Sequence, residues 1–304
     1  MTLKVLLVRP PGRYVSLSFP DGPMVAPPRS LLHLAAAVKH RPDVACRVID
    51  ALAHPDLERL ARVAPPFLFG LAPDEVVARA RPFAPDVIAV TNMAAYFYRE
   101  TQELVAALGA AFPDAFVVVG GPDPSCEWER YLKEGAHIDA VAIGEGEETF
   151  AELVEALAKG ADWRAVAGLA WLEDGVPRRA PARAYTSAMD ALVPDFSLIR
   201  LEDYFALAER GFRSRITYRY PGVERTADVV TSRGCPYKCS FCSIHIHMGR
   251  RFRAQSPESV LAQIGDLVGR GVRHIHFEDD IVNFDRNRWK AILRGLVERR
   301  WPLT

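Results

Sequence analysis

Short apolar runs alternate with stretches of helical periodicity along the first half of the chain, and that alternation leaves few folds open. Lys4–Arg9, Cys46–Asp50, Pro85–Thr91, Ala115–Val119 and Ala140–Ile143 each read as a strand. The third is apolar almost throughout, the pattern of a strand buried on both faces. Between the runs lie helical stretches. Pro27–Lys39 puts Leu31, Leu34, Ala35 and Val38 on one face, Arg99–Phe112 follows the third strand, and Glu148–Lys159 turns Phe150, Leu153, Val154 and Leu157 inward. Strands joined by helical crossovers predict an α/β fold, here a doubly wound parallel sheet of five strands with helices on both faces.

Ligands of such sheets bind outside the carboxyl ends of the strands. The loops predicted there are Pro10-Pro11-Gly12, Thr91-Asn92-Met93-Ala94, Gly120-Gly121-Pro122-Asp123-Pro124-Ser125 and Gly144-Glu145-Gly146-Glu147. Each mixes small and polar residues, and glycine lets a flat ligand approach the backbone. Any one of them alone reads as an ordinary turn; four on one edge predict a ligand site. A dinucleotide is excluded, because Gly144-Glu145-Gly146 lacks the third glycine and places acids where a pyrophosphate would lie.

The pattern changes after residue 160. Gly168–Leu172 and the turn Glu173-Asp174-Gly175 predict a hairpin, and Pro177, Pro181 and Pro194 punctuate a connector that carries Tyr204, Phe205, Tyr218 and Tyr220. From Ala227–Thr231 a strand–helix–strand–helix order resumes. Ser256 is placed to cap a helix over Pro257–Val268, Val272–Phe277 is a strand, and Asp285 is placed to cap Arg286–Arg299. The predicted domains are therefore 1–160, 161–225 and 226–304.

Between the strand at Ala227–Thr231 and the next helix comes Ser232-Arg233-Gly234-Cys235-Pro236-Tyr237-Lys238-Cys239-Ser240-Phe241-Cys242, with cysteines spaced C-x3-C-x2-C. Thiolates are soft ligands suited to iron–sulfur clusters and zinc. An ordinary four-iron cluster takes four cysteines, so three would leave one iron open to a ligand. A closed zinc site needs a fourth donor, which His245 or His247 could supply, although this spacing is unusual for zinc. Cys46 and Cys126 are far apart and suggest no disulfide framework. Lys plus Arg number 38 and Asp plus Glu 38, so no charge excess points to nucleic acid or an anionic membrane. No apolar run approaches a membrane span, and the first residues read as a strand rather than a signal peptide. The expectation is a soluble cytoplasmic protein with reduced thiols.

The cysteine segment resembles the cluster loop of the radical S-adenosylmethionine enzymes. That resemblance implies a [4Fe-4S] cluster on Cys235, Cys239 and Cys242, whose open iron binds S-adenosylmethionine and whose electron cleaves it to a deoxyadenosyl radical. It implies that Phe241 packs near the adenine and that Asp279 or Asp280, in Phe277-Glu278-Asp279-Asp280, meets the cofactor's amino group. The same acids would otherwise cap a helix start. Arg250, Arg251 and Arg253 could pair with its carboxylate, although such arginines are more often solvated or paired with acids. The first half, through Val119–Ser125, Ile143–Phe150 and the Leu192–Phe196 connector, resembles the cobalamin-binding domain that precedes the radical domain in one subfamily, with flavodoxin-like strand order. By that resemblance Thr91, Asn92, Met93, Gly120, Gly121, Pro122, Ser125, Gly144, Glu145 and Gly146 line a cobalamin. None of the eight histidines sits in D-x-H-x-x-G, so no histidine is expected beneath the cobalt.

The implied activity is hydrogen abstraction from a small-molecule substrate followed by methyl transfer to carbon, with flavodoxin or ferredoxin as electron donor. A cyclisation or rearrangement on the same architecture, or a non-catalytic cobalamin-binding fragment, are alternatives. A methylthiotransferase ranks last, since it would need further N-terminal cysteines. The second half holds only the first units of a partial (β/α)6 barrel, so the expectation is a fragment or a split enzyme completed by a second chain.

Overall fold

Seven strands hydrogen-bond into the main sheet, and the alternation of side chains along the strands explains its two faces. The structure, a computed structural model, describes residues 2–17, 23, 25–60, 62–212 and 224–303. The chain divides into two units, one of Met1–Ser16, Pro28–Tyr185 and Pro194–Ile199, the other of Leu17–Pro27, Thr186–Val193 and Arg200–Thr304.

The first unit runs β1 (Leu3–Arg9), β2 (Gly12–Tyr14), α1 (Arg29–Val38), β3 (Val44–Asp50), α2 (Leu57–Leu60), β4 (Phe67–Phe69), α3 (Pro73–Ala80), β5 (Val87–Thr91) and α4 (Tyr98–Ala111). It continues with β6 (Phe116–Gly120), α5 (Pro122–Glu134), β7 (Ala140–Ala142), α6 (Gly146–Lys159), β8 (Leu169–Glu173) and β9 (Val176–Arg179). The sheet order is β3-β1-β5-β6-β7-β8-β9. The strands from β3 to β7 pair in parallel, while β8 and β9 pair antiparallel. The hairpin expected in the connector thus extends the sheet from five strands to seven. Its turn residues Asp174 and Gly175 both take positive φ, +50° and +76°, the primed geometry that suits the twist of a two-residue hairpin. The short pair β2–β4 is separate from the main sheet.

Side chains alternate across a strand, and β1 shows the consequence. Leu6 and Val8 join Ile88, Val90, Leu104, Leu108 and Tyr131 in one core, under α3, α4 and α5. Val5 and Leu7 join Leu31, Ala35, Ala89, Phe150 and Leu153 in the other, under α1 and α6. Every residue of β5 is buried, as its apolar run predicts. Helix α5 corrects one expectation. The segment Gly120–Ser125, read as a loop, turns into helix at Pro122, because a proline in the first helical turn loses no hydrogen bond.

The second unit carries α7 (Leu201–Glu209), β10 (Thr226–Val229), β11 (Ser232–Arg233), α8 (Ile244–His247), β12 (Arg253–Ala254), α9 (Pro257–Gly269), β13 (His274–Phe277) and α10 (Arg286–Arg299). Strands β10 and β13 pair in parallel, and β11 and β12 antiparallel. Ile275 and Phe277 face Val260, Ile264 and Ile292 of α9 and α10. The alternate residues face away from those helices, and there Asp228 Oδ1 lies 3.1 Å from His276 Nδ1. Tyr204 and Phe205 are buried in α7; Tyr218 and Tyr220 lie outside the described residues.

Candidate cofactor-binding sites

The carboxyl edge of the main sheet is knitted by side chains from three successive loops. Asn92, 1 % exposed, leaves β5 and donates through Nδ2 to Tyr131 Oη at 2.6 Å and to Asp123 Oδ2 at 3.3 Å. Its Oδ1 accepts from the Ala94 backbone at 3.0 Å. Tyr131 donates to Asp123 Oδ2 at 2.7 Å, and burial together with that carboxylate pushes its phenol well above the ordinary range. All the hydrogen-bonding groups of the Asn92 side chain are therefore spent inside the protein, and the residue shapes the loop. Ser125 bridges the next two loops, donating to the Gly121 carbonyl at 2.7 Å and accepting from the Gly144 amide at 3.0 Å. Gly121 has φ +116°, and a Cβ there would sit 2.3 Å from the Asn92 carbonyl oxygen. Only glycine lets these loops meet so closely.

The structure thus brings Asn92, Gly121, Ser125 and Gly144 together. Thr91 is buried, with its hydroxyl 3.5 Å from that of Ser30. Gly120 ends β6, Pro122 opens α5, Glu145 is the buried cap residue of α6 and Gly146 its first residue. Met93 is 59 % exposed, and Tyr96, three residues on, is exposed as well. Small backbone-exposing residues around an exposed thioether and ring suit a flat, largely apolar macrocycle with polar side groups. The edge fits a corrin in its chemistry. Burial pushes the thiol of Cys46, on β3, up to about 12.

The cysteine loop leaves β11 and returns through α8 to β12, so its base is closed like a hairpin. Ser232 pairs with Ala254 and Arg233 with Arg253, and the Cys235 amide donates to the Gly249 carbonyl at 3.2 Å. Gly234 makes the turn possible at φ +81°, where a Cβ would sit 2.3 Å from the Arg251 carbonyl oxygen. All three thiols are free; Cys239 is exposed and Cys235 and Cys242 are half-buried. Soft donors on one locally braced and accessible loop fit an iron–sulfur cluster. Phe241 stands out at 90 % exposed, so its ring is available to a ligand and has no packing role in the described fold. Of the arginines, Arg250 donates to the Tyr237 carbonyl and Arg253 to those of Thr186 and Met248. His247 is buried, and desolvation with the neighbouring His245 depresses its imidazole below the ordinary range.

The two acids bid for the cofactor's amino group have different surroundings. Asp279 is engaged: it accepts from the Thr231 amide at 3.1 Å, from Thr231 Oγ1 at 2.8 Å and from Ser232 Oγ. Asp280 is pushed above the ordinary carboxylate range by desolvation and then by the charge of Asp279. Neither caps α10, whose cap is Asp285, accepting from Asn287 and Arg288 amides at 3.0 Å each.

Sequence reasoning missed Arg288 and Gln255. Buried Arg288 donates through Nε to the Gln255 carbonyl at 2.6 Å and through Nη2 to the Thr231 carbonyl at 3.0 Å. One signal was available: Arg288 stands in phase with Ile292 and Gly295 on the buried face of α10, where an apolar residue is the rule.

Residues 23–154 match the B12 binding domain family, and residues 229–299 the radical SAM superfamily. The chain is 30 % identical over 288 residues to an uncharacterized methyltransferase of Pyrococcus horikoshii, covering 94 % of this chain and 55 % of that protein. It is also 30 % identical over 234 residues to the anaerobic magnesium-protoporphyrin IX monomethyl ester cyclase of Rubrivivax gelatinosus, covering 75 % of this chain and 40 % of the cyclase. Among solved structures, the radical S-adenosylmethionine methyltransferase TsrM of Kitasatospora setae, with tryptophan and a cofactor analogue, superposes with TM-score 0.70 at 20 % identity, covering 98 % of this chain and 52 % of that one. The cobalamin-dependent radical enzyme OxsB superposes with TM-score 0.74 at 19 % identity, covering 98 % and 37 %. The chain spans about half the length of the P. horikoshii relative.

Proposed function

We propose, for a chain that belongs to the cobalamin-binding-domain-containing radical S-adenosylmethionine enzyme family, a carbon methylation: hydrogen abstraction from a small-molecule substrate, then methyl transfer to the same carbon. The observation that carries this reading is the braced loop with three free thiols, in one chain with a sheet edge of close-approaching glycine loops. When bound, the cluster with S-adenosylmethionine supplies the radical chemistry and cobalamin the methyl group.

The chain's own residues then orient these groups. Cys235, Cys239 and Cys242 hold the cluster as thiolates. Asp280, with no hydrogen bond or ion pair among the described residues, takes the ammonium of S-adenosylmethionine, and Phe241 covers its adenine. Met93 and the backbones of Gly120, Gly121, Pro122, Gly144, Glu145 and Gly146 line the corrin, while Thr91, Asn92 and Ser125 hold those loops in shape. β10, α9, β13 and α10 form the opening units of a partial (β/α)6 barrel. A low-potential donor such as flavodoxin or ferredoxin supplies the electron, and the reducing cytoplasm keeps the thiols free. Among the described residues no helix is long and apolar enough to cross a membrane.

The similarity to the magnesium-protoporphyrin cyclase supports a second reading, cyclisation of a tetrapyrrole substrate on the same scaffold. Anaerobic reconstitution with iron and sulfide, followed by S-adenosylmethionine and a strong reductant, tests the main one. The expected products are 5′-deoxyadenosine and, with a corrinoid present, S-adenosylhomocysteine. Deoxyadenosine without S-adenosylhomocysteine would favour the cyclase reading, and a chain that takes up no iron would sink both.

A further inference from the structure

The segment that enters the cysteine loop is held from two sides by charged groups. On one side Asp279, just past β13, takes the Thr231 amide, the Thr231 hydroxyl and the Ser232 hydroxyl. On the other, Arg288 of α10 takes the Thr231 carbonyl and the Gln255 carbonyl, while the Gln255 amide also donates to the Thr231 carbonyl at 2.9 Å. Both backbone groups of Thr231 are thereby fixed, a few residues before Cys235. Gln255 fixes the returning end as well, donating through Nε2 to the Leu192 carbonyl at 2.8 Å.

Cohesion alone explains this arrangement poorly. Burying a guanidinium costs several kcal/mol, and apolar side chains of similar volume often replace buried ion pairs without loss. Desolvation lowers the affinity of Arg288 for its proton, opposed first by the charge of Asp279. Its Nη1 is buried without a partner. An apolar residue in phase with Ile292 would pack the helix at less cost. What an apolar residue cannot do is fix a carbonyl in space. Buried charges of this kind serve best as devices of register and geometry, and here the geometry is that of the loop's take-off.

We propose that Asp279 and Arg288 are positioning residues for the cysteine loop. They set the direction in which the chain leaves Ser232, so that the three thiols converge on one cluster. The proposal rests on the reading of this loop as an iron–sulfur site. It assigns Asp279 an indirect part in cofactor binding, through the backbone of Thr231, and leaves the ammonium of S-adenosylmethionine to Asp280.

The test compares the whole chain with Asp279→Asn, Arg288→Met, Arg288→Lys and Thr231→Val, each reconstituted anaerobically with iron and sulfide and then desalted. Iron and sulfide per chain, the electron paramagnetic resonance spectrum of the reduced cluster, and the circular dichroism of the iron-free chain are measured. Asp279→Asn and Arg288→Met are expected to keep the wild-type fold when iron-free, yet to retain iron on the order of tenfold less tightly, the scale of outer-shell partners. Their residual cluster signal should be altered in line shape, and Arg288→Lys, which can reach one carbonyl, should fall between. Variants that load iron to the wild-type amount with an unchanged spectrum would overturn the proposal. If Arg288→Met does not fold, the isosteric Asp279→Asn and Thr231→Val decide by the same criterion. A wild-type chain that takes up no iron would overturn the cluster reading and this proposal together; wild-type loading with indifferent variants would overturn this proposal alone.

Discussion

A methyl group added at Gly121 would enter the space of the Asn92 carbonyl at a backbone angle that side chains rarely adopt. Strain of this kind costs about 1–3 kcal/mol, and forced overlap typically another 1–3 kcal/mol. Gly121→Ala should therefore lower the urea-unfolding free energy by about 2–4 kcal/mol and weaken corrinoid binding, because the loop that meets Asn92 must move. Tyr131→Phe removes a donor from buried Asp123 and an acceptor from Asn92, and should cost about 1–3 kcal/mol. Asp280 makes a prediction in pH. Its folded pKa is raised, so the folded state holds a proton that the unfolded state has released. Stability is then lost as pH rises through that window, and is flat above it. Asp280 is exposed, so water screens its charge and the effect is small. Asp280→Asn should raise the melting temperature of the iron-free chain only slightly at pH 7, with the gain vanishing below the ordinary carboxylate range. If Asp280 takes the ammonium of S-adenosylmethionine, the same variant should bind that cofactor more weakly. At this scale the three cysteines were legible, because a thiolate set sits in one short segment with its spacing in plain view. Asp279 was legible as a candidate, but its contact with Thr231 was not, nor was Arg288 at all, because these contacts join residues 48 and 57 positions apart. Asn92 was singled out from its place in a strand-end loop, whereas its inward orientation followed only from Tyr131 and Asp123 on a helix that the sequence did not disclose.

Helix ends were the most readable elements. Ser256 accepts from the Ser259 amide at 3.2 Å and Asp285 caps α10, both as their side chains predict. Ser256→Ala should cost about 1 kcal/mol by chemical denaturation. α5 escaped notice for a physical reason. Its sequence Pro-Asp-Pro-Ser-Cys-Glu-Trp-Glu-Arg-Tyr-Leu-Lys-Glu is polar overall and buries a narrow stripe, and two early prolines mimic a turn. The core helices carry a broader stripe, and Leu108→Ala in α4 should cost about 2–5 kcal/mol, a range set by how far the cavity collapses. The hairpin β8–β9 was recognised from its turn residues, but nothing local in it specified the neighbour it pairs with. That partner is β7, whose antiparallel edge it occupies.

Each of the two units has its own core and its own candidate ligand, so protection by each ligand is expected in the unit that carries its candidate site. A saturating corrinoid is expected to slow amide hydrogen exchange at the carboxyl ends of β5, β6 and β7, and iron loading to slow it from Thr231 to Gln255. Binding at about a hundred times the dissociation constant stabilises the bound state by about 2.7 kcal/mol, enough to be seen in both. Corrinoid protection confined to the second unit would contradict the placement of the two sites. The base of the cysteine loop suggests in what order the protein is made. Its closure depends on backbone hydrogen bonds from Cys235 to Gly249 and from Gln255 to Thr231, and on the β11–β12 pair; no thiol side chain takes part. On the proposed reading of this loop as a cluster site, folding can precede metallation, and Cys239 is the exposed one of the three thiols. Iron and sulfide supplied to the chain after it has folded should then fill the site without any denaturation step, so that assembly becomes a late stage of the protein's life.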